Sequence, residues 1–426
     1  MNYVQAVEYI ESLGIFGIKA GLERIEYLLE QLGQPQNKIK CIHVAGTNGK
    51  GSVCTMLESM LSGYKTGKFT SPHLVSYNER FAFNGQQIDN QAFADLVSKL
   101  KPIVEQLPAD LRPTQFELLT AMAFEYFAAE QVDYAIIEVG LGGLLDSTNV
   151  IKPLISVITN VDMDHMDKCG DTLSEIAQHK AGIIKAGVPV VTAAQGEALT
   201  VIKACAQHLG SKCLVYGEEF AVQPLADKGN IAQQEFLYTA AGLKLSVGIN
   251  LLGEHQLVNA AVAIAVVAEL FAAEQLVALT AKLANARWAG RLEIVATKPT
   301  VILDGAHNLA GAQVLRNTLD KEFAGRKLCF ILGMMQDKDI RGIVDILIKE
   351  SDMVIPVLAD PEYPRSATVA QIAQFIKPEQ ILAGQEHVLN HTQALQLARE
   401  FVGEDGVVCI AGSLYLIGRV KAEGTC

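Results

Sequence analysis

Aromatic residues are scarce in this chain, at 6%, and charged residues make up only 19% of its 426 positions, whereas 50% are apolar. Such a balance excludes a disordered or fibrous chain and describes a well-packed α/β protein. Positive charge is in the minority: 35 Lys and Arg stand against 47 Asp and Glu, for a net charge of −12. Non-specific attraction to nucleic acid or to an anionic membrane is thereby excluded, because either needs a basic surface, although local basic pockets remain open. The eight cysteines, Cys41, Cys54, Cys169, Cys205, Cys213, Cys329, Cys409 and Cys426, include no Cys-x-x-Cys pair. Neither a zinc ribbon nor a disulfide framework is expected, and a reducing compartment fits. A long uncharged apolar run is also missing, since the most apolar stretch, Ala260 to Leu279, is interrupted by Glu269, Glu274 and Gln275. The N-terminus, MNYVQAVEYIESLG, lacks the basic-then-apolar order of a signal peptide. A cytoplasmic protein without a membrane span is expected.

The length exceeds what one hydrophobic core usually serves, so two domains are expected, with a cleft between them. From Lys40 onward, short β-branched runs alternate with helical patterns: Cys41 to Val44, Tyr134 to Val139, Ile155 to Val161 and Val188 to Thr192. This alternation predicts a parallel sheet, and functional residues are sought just beyond the carboxyl ends of its strands. Between about Val215 and Gly253 the texture changes, and Phe236 to Thr239 with Leu243 to Val247 predict an antiparallel hairpin. After an apolar helix near 256 to 271, the segment Asn285 to Arg291 loses periodicity. A second α/β series follows: Val301 to Leu303, Leu328 to Leu332, Met353 to Leu358 and Val407 to Ile410. The expected division is therefore 1–289 and 290–426, a larger domain with a mostly parallel sheet and a small antiparallel part, then a smaller Rossmann-like α/β domain.

The run Cys41 to Val44 leads into Gly46-Thr47-Asn48-Gly49-Lys50-Gly51-Ser52, and Val53 to Leu61 then reads as a helix. Strand, glycine-rich turn and helix in this order form a phosphate cradle. Glycines admit backbone N–H groups to phosphate oxygens, the helix N-terminus adds positive potential, Lys50 neutralises the β- and γ-phosphates, and Ser52 can reach magnesium. The loop departs from the Walker pattern, with Val44 in place of its first glycine and Gly51 between the lysine and the hydroxyl. Taken alone, it permits a kinase, an ATPase or a ligase.

Glu138 ends a very apolar strand, where a carboxylate needs a partner such as magnesium on nucleotide phosphates. The next strand delivers Asp162-Met163-Asp164-His165 to the same sheet edge. His165 is a candidate for a second metal and equally for a structural histidine, and the two aspartates are candidate ligands or turn formers. Thr172-Leu173-Ser174-Glu175 has the pattern of a capping box opening a helix that carries His179, Lys180 and Lys185. By position alone, Lys180 reads as a snorkelling helix lysine.

Together, HVAGTNGKGS, FTSPHL with YNERF, IIEVGLGG with LDSTN, DMDH with TLSEIAQHKAGIIK, GEHQLVNAA, GRLE, LDGAHN and AGSLYL resemble the folylpolyglutamate synthase and dihydrofolate synthase family of the Mur ligase superfamily. The likeness runs in order from Gly14 to about Gly418. It implies an N-terminal ATPase domain followed by a smaller Rossmann-like domain. It also implies a reaction in which ATP phosphorylates a folate carboxylate and the amine of glutamate attacks the acyl phosphate, giving an amide, ADP and phosphate.

By the same resemblance, Gly46, Thr47, Asn48, Gly49, Lys50, Gly51 and Ser52 hold the triphosphate. Ser71 and Glu138 bind one magnesium ion, with Ser52 alongside, and His165 binds a second. Lys180 matches a lysine that is carbamylated in the superfamily, which turns a cation into an oxygen ligand. Asn259, Arg291, Asp304 and His307 contact ATP, and Arg291 can stabilise phosphoryl charge. Closure of the two domains would protect the acyl phosphate from water. The folate side is assigned to Gly21-Leu22-Glu23-Arg24, to Thr114-Gln115-Phe116-Glu117 and to Leu145-Asp146-Ser147. In these segments Phe116 is a stacking or a core residue, Asp146 an acceptor for pterin N–H groups, and Glu23 with Arg24 either substrate ligands or a solvated helix face.

The chain departs from the family at Leu144, where an arginine is common, and at Cys169, where a leucine is common. A cysteine fills similar apolar space. The reading is an ADP-forming acid–amino-acid ligase that extends tetrahydrofolate with L-glutamate. Dihydrofolate synthase activity on dihydropteroate is its alternative, and a P-loop kinase or nucleotide-binding protein the reading from another class. A cell-wall Mur enzyme is disfavoured, because those carry a Gly-Lys-Thr loop and a nucleotide-sugar-binding N-terminal domain. The expected ligands are ATP, two Mg2+ ions, folate and glutamate, with no nucleic acid or membrane partner. A monomer is expected, since no interface signal stands out.

Overall fold

The computed structural model describes residues 1–16, 21–164, 166–225, 233–382 and 389–424. The chain forms two compact units: Met1–Ala226 with Glu235–Ile249 and Leu257–Ala286, and Asp227–Gln234 with Asn250–Gln256 and Arg287–Cys426.

The first unit is built on β1 (Cys41–Ala45), β2 (Thr66–Phe69), β3 (Phe81–Phe83), β4 (Gln86–Gln87), β5 (Tyr134–Glu138), β6 (Ile155–Ile158), β7 (Val190–Thr192) and β8 (Cys213–Val215). Their order in the sheet is β4-β3-β2-β5-β1-β6-β7-β8. The pairs from β2 across to β8 are parallel, and β3 and β4 form an antiparallel edge. Strand β1 is central and buried along its whole length, as a strand covered by helices on both faces must be. Phe124, Phe127, Met122, Ile137 and Phe81 belong to the core on one side, and Ile158, Ala177, Ile183 and Val190 to a second core cluster.

Strand β6 is shorter than the expected run to Val161. Its continuation turns away because Thr159 and Asn160 are committed to hydrogen bonds with the loop after β1. The helix after that loop, Lys50–Met60, starts earlier than expected, inside the glycine-rich stretch. The expected hairpin is longer than its apolar core, with β9 (Phe220–Pro224), β10 (Gln234–Ala240) and β11 (Leu243–Ile249) forming a separate sheet in the order β11-β10-β9.

The second unit contains β12 (Glu293–Thr297), β13 (Thr300–Leu303), β14 (Leu328–Leu332), β15 (Met353–Pro356) and β16 (Val407–Ala411), ordered β12-β13-β16-β14-β15. All pairs are parallel except the β12 edge. The fold is thus the expected α/β class, with a large mostly parallel sheet and a smaller second α/β sheet. Among the described residues, no helix is long and apolar enough to cross a membrane.

One buried ion pair fixes the helix Leu309–Glu322 of this second unit. Arg316 donates to Asp352 Oδ2 at 2.8 Å and to the Leu347 carbonyl at 3.0 Å, with both charged side chains nearly enclosed. Removing the guanidinium leaves Asp352 buried without its counter-charge. Arg316→Met is therefore expected to destabilise this unit by about 3–5 kcal/mol, measured as a lower urea midpoint; an unchanged midpoint would show that the pair is dispensable.

Candidate active site

The carboxyl end of β1 runs directly into the glycine-rich loop. Gly46 has φ +149°, and a Cβ there would lie 1.8 Å from Thr159 Oγ1. Only glycine lets the two strand ends approach so closely. The contact is reinforced by hydrogen bonds: Thr47 N donates to Asn160 O at 3.0 Å, Asn48 N to Asn160 Oδ1 at 2.8 Å, and Thr159 Oγ1 to Asn48 O at 2.6 Å. Thr47 Oγ1 both donates to Asp162 O and accepts from Asp162 N, at 3.1 and 3.0 Å. Asp162 thus serves the loop through its backbone. At the far side of the loop, a Cβ on Gly49, the N-cap of the helix, would fall 2.5 Å from Asn259 Oδ1, so Asn259 stands against the loop. Lys50 Nζ donates to the carbonyls of Gly46 and Thr47 at 3.1 and 3.2 Å, which keeps its ammonium at the loop. Ser52 is buried in the first turn of the helix.

Glu138, at the end of β5, is 3% exposed. Its Oε2 accepts from Ser71 N at 2.8 Å, so the predicted Ser71 and Glu138 are brought together from neighbouring strands. Val44 and Glu138 are register partners, which sets the carboxylate beside the start of the loop. His165 lies outside the described residues.

The lysine that sequence position presents as snorkelling is instead enclosed: Lys180 is 5% exposed. Its helix, Leu173–Ala181, begins at the expected capping box on Thr172 and Glu175. The Gly140 to Gly143 turn after Glu138 packs directly on it, for a Cβ on Gly143 would be 3.1 Å from Lys180 Cα. Burial, with repulsion from the Lys50 charge second, pushes the Lys180 pKa down to about 7, against weaker opposition from Cys169 and Asp164. The amine is therefore available in its neutral, nucleophilic form near neutral pH.

The segments assigned to folate also converge within the first unit. Arg24 is buried rather than solvated, with Nη2 2.9 Å from Glu117 Oε1 and Nε 3.2 Å from Oε2. Glu117 closes the capping box of the helix Gln115–Ala129 with Thr114. Phe116 is half-buried, its ring stacked on Phe69 with centroids 6.0 Å apart and lying against Gly140. Ser147 Oγ is 2.8 Å from Thr120 Oγ1 on the same helix. Asp146 accepts from Leu141 N at 2.8 Å and from Thr148 N at 3.0 Å, so its carboxylate shapes the loop that carries it. Burial pushes its pKa up, while these donors and the Thr148 hydroxyl pull the other way. Leu144 and Leu145 are exposed at the loop tip.

The other predicted residues gather in the second unit. A Cβ on Gly305 would be 3.0 Å from Arg291 Nη1. Asp304 Oδ2 accepts from Leu292 N at 2.8 Å and Oδ1 from Ala306 N at 2.9 Å. Its pKa is raised by burial and drawn down by Arg291. His307 Nδ1 is 2.8 Å from Gly305 O. Arg291, Asp304 and His307 are thus one cluster after β13.

The donors around the phosphate loop suit magnesium. Among the described residues, no three His, Cys, Asp or Glu converge as a self-sufficient metal cage. Ser52, Ser71 and Glu138 instead offer a few hard oxygen atoms, the arrangement for an ion that keeps water and phosphate ligands.

The family model for the Mur ligase middle domain matches residues 44–267, and that for the dihydrofolate synthetase C-terminal domain matches 291–422. The dihydrofolate synthase/folylpolyglutamate synthase of Bacillus subtilis (strain 168) is 37% identical over 98% of this chain and 98% of that protein. The chain belongs to the folylpolyglutamate synthase/dihydrofolate synthase family. Folylpolyglutamate synthase of Lacticaseibacillus casei is another relative in this family, 36% identical over 99% of this chain and 98% of its own. The fold agrees with the solved Mycobacterium tuberculosis folylpolyglutamate synthase complexed with ADP and AMPPCP, with TM-score 0.88 and 31% identity over 99% of both chains. It agrees equally with E. coli FolC in complex with DHPP and ADP, with TM-score 0.86 and 29% identity over 99% of this chain and 97% of that one.

Several contributors to the site were not singled out from sequence. Thr159 and Asn160 fall inside the expected run Ile155 to Val161 and only just beyond the observed strand, so their signal was a place near a strand's carboxyl end. Asn149 closes the LDSTN motif, which did not show its role: its amide donates to Leu144 O at 2.9 Å and to Gly182 O at 3.0 Å, tying the exposed loop to the end of the Lys180 helix.

The approach of Gly46 to Thr159 yields a direct test. Gly46→Ala is expected to weaken binding of a non-hydrolysable nucleoside triphosphate by at least about tenfold, because the added methyl must displace the loop. Calorimetric titration, with circular dichroism to check the fold, decides it; undiminished binding would show that the loop geometry is not needed for the triphosphate.

Proposed function

We propose that this chain is an ADP-forming folylpolyglutamate synthase that adds L-glutamate to tetrahydrofolate and its short glutamate conjugates. The observation that carries the reading is Lys180, a buried amine near neutrality beside the Lys50 loop. An ordinary phosphate-binding protein has no need of such a group. Residues 1–289 are assigned to ATP and folate binding and 290–426 to the ligase domain.

In this reading Gly46 to Ser52, with Asn259, hold the triphosphate, and Lys50 offsets the charge of its terminal phosphates. Ser52, Ser71, Glu138, His165 and the carbamate of Lys180 hold two magnesium ions, which neutralise phosphate charge when bound. Carbamylation joins the neutral Lys180 amine to CO2 with loss of a proton, so an enclosed neutral amine becomes an anionic oxygen donor. Arg24, Phe116, Glu117, Leu145, Asp146 and Ser147 orient the folate. The folate carboxylate attacks the γ-phosphorus, ADP departs, and the glutamate amine displaces phosphate from the acyl phosphate. Arg291, Asp304 and His307 are assigned to ATP, with Arg291 stabilising phosphoryl charge. Dihydropteroate is a second substrate worth testing, because the similar FolC structure contains DHPP.

With ATP, magnesium, tetrahydrofolate and glutamate, the protein is expected to release ADP and a folate one glutamate heavier; ADP release indifferent to glutamate would sink the ligase reading. Dihydropteroate in place of the folate tests the second activity in the same assay.

Lys180→Ala should abolish turnover with the fold intact, and short carboxylates should restore part of it. Full activity in that variant would discard the carbamate. The Lys180 pKa lies below its ordinary value, so the fraction of neutral amine grows as pH rises through about 7. Carbamate formation should therefore fall as pH drops below that point. A carbamate resonance from 13C-bicarbonate that fades on acidification and is missing in Lys180→Ala is the expected signature.

A further inference from the structure

His43 lies in the middle of β1 and is fully buried, yet nothing in the phosphate loop uses its ring. Its Nε2 is 2.9 Å from Thr148 Oγ1. Thr148, also fully buried, donates that hydroxyl to Asp146 Oδ1 at 2.5 Å. A threonine hydroxyl carries one hydrogen, so once it is given to Asp146 the oxygen must accept from His43. His43 is thereby the Nε2–H tautomer, and its Nδ1 has no hydrogen-bond partner among the described residues. Burial, with the nearby Lys185 charge second, pushes the His43 pKa down to about 3, so the ring stays neutral.

The geometry points to His43 as a positioning residue for folate: through Thr148 it fixes the Asp146 carboxylate, and so ties the substrate loop to the strand that launches the phosphate loop. This rests on the reading of Asp146 as a folate-binding residue. Backbone N–H groups of Leu141 and Thr148 hold Oδ2 and Oδ1 respectively, and the Thr148 hydroxyl adds a further bond to Oδ1, so His43 bears on the carboxylate through that one side-chain bond. A buried donor at Nε2 satisfies the hydroxyl oxygen and keeps its hydrogen on Oδ1, whereas an apolar side chain of similar size leaves that buried oxygen unsatisfied and loosens the side-chain bond to the carboxylate. A residue that only filled space would not care which atom donates.

The test compares His43→Leu, His43→Gln, Thr148→Val and the Leu/Val double variant, each checked for an unchanged circular dichroism spectrum. Thr148→Val keeps the shape of its site and breaks the chain from the other end, so it answers the question if His43→Leu fails to fold. His43→Leu and Thr148→Val are each expected to raise the KM for folate about tenfold while the KM for ATP moves less than about twofold. The double variant should be no worse than Thr148→Val alone, and His43→Gln, whose amide can donate to Thr148, should recover most of the loss. Equal losses for ATP and folate, additive single effects, or a folded His43→Gln as impaired as His43→Leu would overturn the proposal. Asp146→Ala separates the two levels. If it leaves the folate KM unchanged, the folate reading of Asp146 fails; if it raises that KM while the His43 and Thr148 variants do not, only the positioning role fails.

Discussion

The close approach of the β1 and β6 ends governs the first unit. Gly46 can pass Thr159 only without a side chain, and once it does, Thr159 and Asn160 take up the loop's carbonyl and amide groups. Those hydrogen bonds end β6 early and aim the Lys50–Met60 helix at the loop. Because β5 lies on the other side of β1, Glu138 arrives at the same edge in register with Val44. The turn after Glu138 then brings in Lys180. A parallel sheet places its chemistry at one edge, and here a steric constraint at one glycine decides how that edge is assembled.

Electrostatics divides the work differently. Glu138 and Lys180 are both enclosed, but the carboxylate receives a backbone donor, whereas the lysine is left close to the positive Lys50. Enclosure beside a like charge is unfavourable for an ammonium and favourable for its neutral amine. The second unit sets the same forces against each other: Asp304 is buried yet retains two backbone donors and the Arg291 charge. For Lys180 and Asp304 burial sets the direction, and neighbouring charges and donors add to it or oppose it.

What sequence revealed follows the range of the interactions involved. The apolar strands β1, β5, β6, β7, β10, β11 and β13 to β16, the glycine-rich turn and the Thr172 capping box depend on neighbours along the chain and were legible. Strands β2, β3, β4, β8, β9 and β12, most of them at sheet edges and short or mixed in polarity, were not read. The division of sheet types was legible, because the alternation of apolar runs with helices is a local pattern. The burial of Lys180 was not, since the residues enclosing it come from the Gly140 to Gly143 turn. The pairing of Arg24 with Glu117 was equally hidden, and a solvated helix face was as reasonable a reading of that segment. Family motifs named Lys180, Asp146 and Asn259, but motifs carry no information on which atom holds which. The chain of His43, Thr148 and Asp146 spans two motifs and belongs to neither alone.

The two amide bonds of Asn149 have a consequence for how this enzyme family can diversify. They fix the base of the 144–149 loop to the end of the Lys180 helix, and Lys185 adds a bond to the Asn149 carbonyl at 3.1 Å. Leu145 is exposed beyond that base, whereas Leu144, although partly exposed, lies against Gly182, where an added Cβ would meet its Cβ at 2.5 Å and its Cδ1 at 2.7 Å. Side chains can therefore vary at position 145 with little effect on the packing of the loop base, whereas position 144 is held against the Gly182 turn. The loop separates a part that must be inherited from a part that is free to adapt.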